Sequence, residues 1–372
     1  MMSKVTIPPV VMPERLAATD PFKQIPEAIG SGPFKWVAGE HVLGSRAVFA
    51  KNEKYAPRNE KPSWTAGGRN VLVDRVEWLM ITDGGTAANA LMTGEIDWIE
   101  IPLPDLLPSL RKARGVKTGH LDTQGQVMAL RPNHVAKPTS NVGVRRAMMA
   151  AIDQREAMTA IMGGDPENWF APQGFMLTGK KEVDEAGFDF FRAPKKPDEV
   201  KRMLDAAGYG GEKLVLLHAT EHTFFNPAAQ IAAQQLQRCG FVVDDQPMDW
   251  ATVQSRRTNR GQLNEGGWSI FPTVSPVPEQ RTPLVGMFMR GNGKDAFFGW
   301  PTDAETERLY DEWLGVSDPA ELTRIERAYE LRHYETVPFV PMGRYLQSSA
   351  WRENVTGLLK GPCVVFWNVD KA

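Results

Sequence analysis

The segment that most restricts how this chain can fold runs from Lys213 to Val243. Lys213-Leu214-Val215-Leu216-Leu217 is an apolar run of strand length, and Asn226-Pro227 then supplies a helix cap and a residue whose fixed φ suits a first turn. Ile231, Ala232, Gln235 and Leu236 trace one face of that helix, Gly240 stops it, and Phe241-Val242-Val243 begins another strand. A strand, a helix and a strand in so short a space predict an α/β fold.

The same alternation recurs along the chain. Val73 to Ile81 reads as a half-buried strand, Asp83 caps a short helix through Ala87, Ala90 and Leu91, and Gly94 ends it. Glu95 to Glu100 alternates as a second strand with its carboxylates on one face, which predicts a β-α-β unit with parallel pairing if both strands share a sheet. Asn141 opens a helical pattern carried by Val144, Met148, Ile152, Ile161 and Met162, and Gly163-Gly164 stops it. Pro197 with Asp198 and Glu199 opens another helix, and Asp318-Pro319 opens a long one that must end before Pro338. The chain finishes in an extended aromatic stretch, Cys363 to Trp367.

Composition narrows the class. At ~150 residues per domain, a chain of this length holds two or three. A net charge of −2 with no dense basic block excludes a polyanion such as nucleic acid as the expected partner. No run reaches the ~18–20 apolar residues that cross a bilayer, and Met1 to Pro9 shows no apolar core of a secretory signal. Cys239 and Cys363 permit one disulfide, but no short spacing suggests a zinc cluster or a redox dithiol.

One motif points to catalysis. His218-Ala219-Thr220-Glu221-His222 fits the inverted zinc-protease pattern, two histidines four apart with an acid between them. That chemistry needs a helix to bring both imidazoles to one face, whereas these residues follow an apolar strand and precede the cap at Asn226-Pro227. A strand-to-helix loop is the expected context, so a zinc hydrolase stays as one alternative, beside a truncated remnant that binds nothing. Gly174 to Lys181 nearly matches a phosphate loop, but Lys181 stands where Ser or Thr should meet magnesium, and no strand feeds it. Aromatic usage says more, with 11 Trp and 17 Phe. Trp169-Phe170, Phe224-Phe225 and the pair Trp268 and Phe271 lie beside Gly or Pro, where rigid faces line ligand clefts or simply pack a core.

The order of segments resembles a known family. Ile29-Gly30-Ser31-Gly32-Pro33-Phe34, Ala90-Leu91-Met92-Thr93-Gly94-Glu95-Ile96-Asp97, Val144-Arg145-Arg146-Ala147 through Ala151-Ile152-Asp153, and Ala206-Ala207-Gly208-Tyr209 carry the match. In this order they resemble the family 5 extracellular solute-binding proteins of ABC importers, the dipeptide, oligopeptide and nickel group, from about Val5 onward. The resemblance implies an α/β, two-lobe periplasmic-binding-protein-like fold (type II, class C-like) that encloses its solute by hinge motion. Residues 1–135 would be what remains of the first lobe, 136–335 the second, and 336–372 the return. Gln126 to Asn133 would cross out and Val337 to Met342 cross back. Family members carry roughly another lobe, on the order of 150 residues, before the Gly-Ser-Gly-Pro segment. The first lobe is therefore expected to be incomplete, with edge strands or apolar surface uncovered unless another chain covers them.

The resemblance also bears on the solute. Peptide-binding relatives place an aspartate three residues after the Trp matching Trp268, to pair with the peptide ammonium. Here that position is Phe271, which predicts a less cationic or more apolar solute. The expectation is thus a non-enzymatic solute-binding subunit of a periplasmic importer, without cofactor or metal, a monomer when full-length, working with permease subunits. The candidate ligand residues are Trp169, Phe224, Arg256, Glu265, Trp268 and Phe271.

Overall fold

The computed structural model describes residues 12–20, 23 and 25–372. The start from Met1 to Pro9, read above for an export signal, lies outside them. Among the described residues the strands are β1 (Phe34–Trp36), β2 (Arg46–Lys51), β3 (Arg75–Leu79), β4 (Trp98–Ile99), β5 (Val116–His120), β6 (Gln126–Pro132) and β7 (Trp169–Phe170). They continue with β8 (Lys213–Ala219), β9 (Val242–Met248), β10 (Ile270–Pro276), β11 (Val340–Tyr345), β12 (Ser348–Arg352), β13 (Val355–Thr356) and β14 (Asp370–Lys371). The chain divides into two compact units, Met1–Thr123 with Gln347–Ala372, and Gln124–Leu346.

The larger unit is built on one six-stranded sheet, in the order β7-β11-β6-β10-β8-β9. β8 runs parallel to β9 and to β10, while β6 is antiparallel to both β10 and β11. Both segments expected to cross between lobes, now β6 and β11, are therefore neighbours in this sheet. The helix Phe225–Arg238 packs on β8 and the helix Gln154–Met162 on β11. β6 and the start of β10 are buried at successive positions, as strands covered on both faces must be. Arg131 in β6 is fully buried and donates to the carbonyl oxygens of Phe298, Phe288, Pro338 and Phe297 at 2.6, 2.7, 2.9 and 3.2 Å, so its guanidinium ties three loops to the sheet.

The smaller unit holds two three-stranded antiparallel sheets, β1-β2-β3 and β4-β12-β5, and the pair β13-β14. Ala88, Leu91, Leu110 and Ala350 form its buried cluster. Leu43 and Met80, at the β2–β3 side, are 90% and 63% exposed.

Several local expectations change. The helix Gly84–Thr93 forms as expected, its first turn capped by Asp83 and its end by Gly94 in the left-handed region. Its flanking strands do not pair with each other, however, because β3 pairs with β2 and β4 with β12, both antiparallel. The single helix expected from Asn141 to Met162 is two, Val142–Ala151 and Gln154–Met162. The break falls where the Asp153 side chain accepts from the N–H groups of Arg155 and Glu156, a second cap inside one apolar period. Cys363 to Trp367 forms no strand, and Cys239 and Cys363 are both free thiols.

Candidate functional site

In open α/β sheets ligands sit beyond the carboxyl ends of the parallel strands, where helix starts and loops converge. In the larger unit that edge is marked by Ala219, Met248 and Pro276, the last residues of β8, β9 and β10. Tyr345 and Gln126 join it, since Tyr345 pairs with Gln126 and Gln126 with Pro276.

Rings line this edge. Trp250, just past β9, lies 4.9 Å from Phe225, which stacks on His222 at 3.7 Å and 12°. His222 is 6.5 Å from Phe224, Phe224 is 5.0 Å from Tyr345, and Tyr345 pairs with Trp169 of β7. Phe224, Phe225 and Tyr345 are buried, so Trp250, His222 and Trp169, all half-buried, carry the accessible surface of the row. Two buried amides stand in neighbouring segments. Gln280, in the turn after β10, is 1% exposed with neither side-chain atom hydrogen-bonded, and the Oδ1 of buried Asn168, just before β7, accepts nothing.

The candidate residues divide between this edge and the opposite one. Trp169 and Phe224 lie on the row, Trp169 with its Nε1 donating to the Gly163 carbonyl at 3.2 Å. Trp268 is fully buried at the amino end of β10, packed on Phe271 and Trp300 at 5.1 and 5.9 Å, with Nε1 donating to the Arg257 carbonyl at 3.1 Å. Phe271, also fully buried, pairs with Arg131 across the sheet. Its ring packs in the core of the larger unit. Arg256 donates to the Gln246 side chain and to the Gly266 carbonyl at 3.2 Å, holding the turn before β10. Glu265, exposed in that turn, accepts from the Gln262 N–H at 3.0 Å. Gly266 and Gly267 form a turn into a doubly covered strand. The sequence does not show His222 and Tyr345 as neighbours, since only tertiary pairing brings them to one edge.

The zinc-protease pattern is dispersed. His218 lies on β8, buried, with Nδ1 3.0 Å from Asp245 and Nε2 2.8 Å from Asn226. Glu221 accepts from the Trp250 N–H at 2.5 Å, and His222 Nδ1 accepts from the N–H groups of Phe224 and Phe225, each at 3.3 Å. All three side chains are engaged in holding helix starts or strands, on no common helix face. The Asn226 side chain serves His218 instead of capping, and the helix begins one residue earlier, at Phe225.

The edge is lined by rings, and the three side chains of the zinc-protease pattern are engaged in holding the fold. The sequence pattern of the bacterial extracellular solute-binding proteins, family 5, matches residues 2–286, and the chain belongs to that family. It is 34% identical over 367 residues to the probable peptide ABC transporter periplasmic-binding protein y4tO of Sinorhizobium fredii, covering 98% of this chain and 69% of that protein. It is 20% identical to the oligopeptide-binding protein OppA of Bacillus subtilis, covering 89% of this chain and 58% of that one. In fold it resembles the binding protein AgaA in complex with agropinic acid from A. tumefacien R10, with a TM-score of 0.73 and 19% identity over 92% of this chain and 67% of that one. It also resembles NikA of Staphylococcus aureus in complex with Ni(L-His)2, with a TM-score of 0.74 and 14% identity over 95% of this chain and 72% of that one.

Proposed function

We propose that the chain is the solute-binding subunit of an ABC importer, holding a peptide or other small organic solute and delivering it to permease subunits without covalent chemistry. The solute lies against the carboxyl edge of the larger unit, on Trp169, His222 and Trp250. The larger unit serves as the second lobe, and the smaller one as part of the first. The compartment is periplasmic and the working form a monomer. No described helix is long and apolar enough to cross a membrane, which fits a subunit that depends on separate permeases.

The observation that carries this reading is the row of rings along that edge. Rigid ring faces bury a guest with little loss of side-chain freedom, and a few polar groups fix its orientation. Titration of the chain with peptides, opines and sugars, followed by tryptophan fluorescence, should show saturable quenching or enhancement because Trp169 and Trp250 lie on the row. A folded sample that answers none of these solutes refutes it.

A further inference from the structure

His222 is the accessible polar ring of the row, and its surroundings settle which nitrogen carries hydrogen. Two backbone N–H groups, of Phe224 and Phe225, point at Nδ1. A nitrogen that accepts two donors cannot itself be protonated, so a neutral ring holds its hydrogen on Nε2. Burial holds the ring below its ordinary protonation range, and the Glu221 carboxylate beside it only partly opposes this. Stacking on Phe225 at 3.7 Å and the edge of Trp250 at 5.8 Å fix the plane of the ring. The result is one aimed, uncharged N–H on an aromatic shelf.

The charges nearby select the acceptor. The Glu221 carboxylate acts on the ring, and one of its oxygens holds the Trp250 N–H. Arg257, centred over the Phe298 ring at 4.5 Å, reaches the Trp250 ring at 5.4 Å. A carboxylate already acting on the ring disfavours a further anion, and an uncharged donor adds nothing to attract one. We propose that His222 fixes the polar end of the solute, donating from Nε2 to an uncharged oxygen, an amide carbonyl or a hydroxyl, in preference to a carboxylate. This rests on the solute-binding reading and narrows it to neutral, oxygen-bearing solutes with a flat or apolar side.

The test pairs two matched probes, N-acetyl-leucinamide and N-acetyl-leucine, with mannitol as the hydroxyl probe, each titrated into the whole chain by fluorescence. The amide should bind more tightly than the acid. His222→Phe, which keeps the ring and removes the donor, should weaken the amide and mannitol about tenfold, the worth of one neutral hydrogen bond, and erase the preference over the acid. His222→Gln, which keeps a side-chain N–H, should recover part of the loss. A purely structural role would lower all probes alike and leave the preference intact. Nitrogen-15 spectra of labelled histidine should show the Nε2-protonated ring in the wild type. A ring protonated on Nδ1, or unchanged affinities in His222→Phe, overturns the assignment. So does a wild type that binds peptides yet ignores both uncharged probes, leaving the wider reading standing. Silence toward every solute overturns both.

Discussion

His333 is fully buried on the helix Pro319–Thr336, with Nδ1 2.5 Å from the Tyr329 carbonyl and Nε2 2.9 Å from that of Met289. Protonation would satisfy both contacts, but burial outweighs them and pushes the ring down to about 4. An unfolded histidine protonates near 6.5, so between those values the unfolded chain binds a proton that the folded chain refuses. Stability from this ring is full above pH 6.5 and falls as the pH drops toward 4, by on the order of 3 kcal/mol. Glu330, one turn earlier, acts with the opposite sign, since burial raises its carboxyl well above the usual range. Wild type and His333→Gln share Glu330, so urea unfolding at pH 7 and pH 4.5 isolates the histidine; equal losses in the two proteins would refute its role. Trp268 gives a second comparison at this scale. With no exposed surface it behaves as core, and Trp268→Ala should cost about 3–5 kcal/mol, seen as a lower midpoint in urea. Trp268→Phe should cost less and leave solute affinity unchanged, and a tenfold weaker titration would return Trp268 to the site. Aromatic identity was legible in the sequence, but which edge each ring faces was not. Trp268 and Phe224 both stand near turns, and only the direction of β8 and β10 separates them.

Elements defined by local chemistry were the most legible ones. Asp83, Asn141 and Asp318 accept from N–H groups two or three residues ahead, a bond the sequence contains entire. Strand partners are chosen by residues far away, which is why the helix Gly84–Thr93 was foreseeable and the antiparallel partners of β3 and β4 were not. The break at Asp153 was hidden because the apolar positions keep their period across it. β11 shows a further device of this kind. Its register with β6 shifts between Pro341 and Gly343, and Gly343 has φ +122, a conformation that suits glycine alone. A Cβ there would stand 2.4 Å from the Met158 Cγ on the helix Gln154–Met162. Gly343→Ala should therefore destabilise by about 2 kcal/mol or more, read as a drop in Tm. Adding Met158→Ala makes room but leaves the backbone strain, so the double variant should recover only part of the loss. Full recovery would show that the steric contact alone mattered.

At the scale of the whole chain, the two units differ in how they are threaded. The larger one is continuous from Gln124 to Leu346, and its ends are neighbours, because Gln126 pairs with Tyr345. It also owns an extensive apolar cluster, from Met128 through Trp268 to Tyr345, drawn from its own residues. A fragment 124–346 can thus be released without cutting any strand pairing of its sheet, and it should fold cooperatively with a near-ultraviolet circular dichroism signal. The smaller unit is discontinuous. β12, the central strand of β4-β12-β5, arrives only after Leu346, and the buried cluster it completes through Ala350 is small. A chain ending at Leu346 would leave β4 and β5 without their shared partner and expose Leu91 and Leu110. Hydrogen exchange on that shortened chain should find the amides of β6, β8 and β10 as protected as in the full chain, with protection lost in β5 and the helix Gly84–Thr93. Loss of protection in β8 as well would mean that the larger unit depends on the smaller one, and would contradict the self-sufficiency its threading implies.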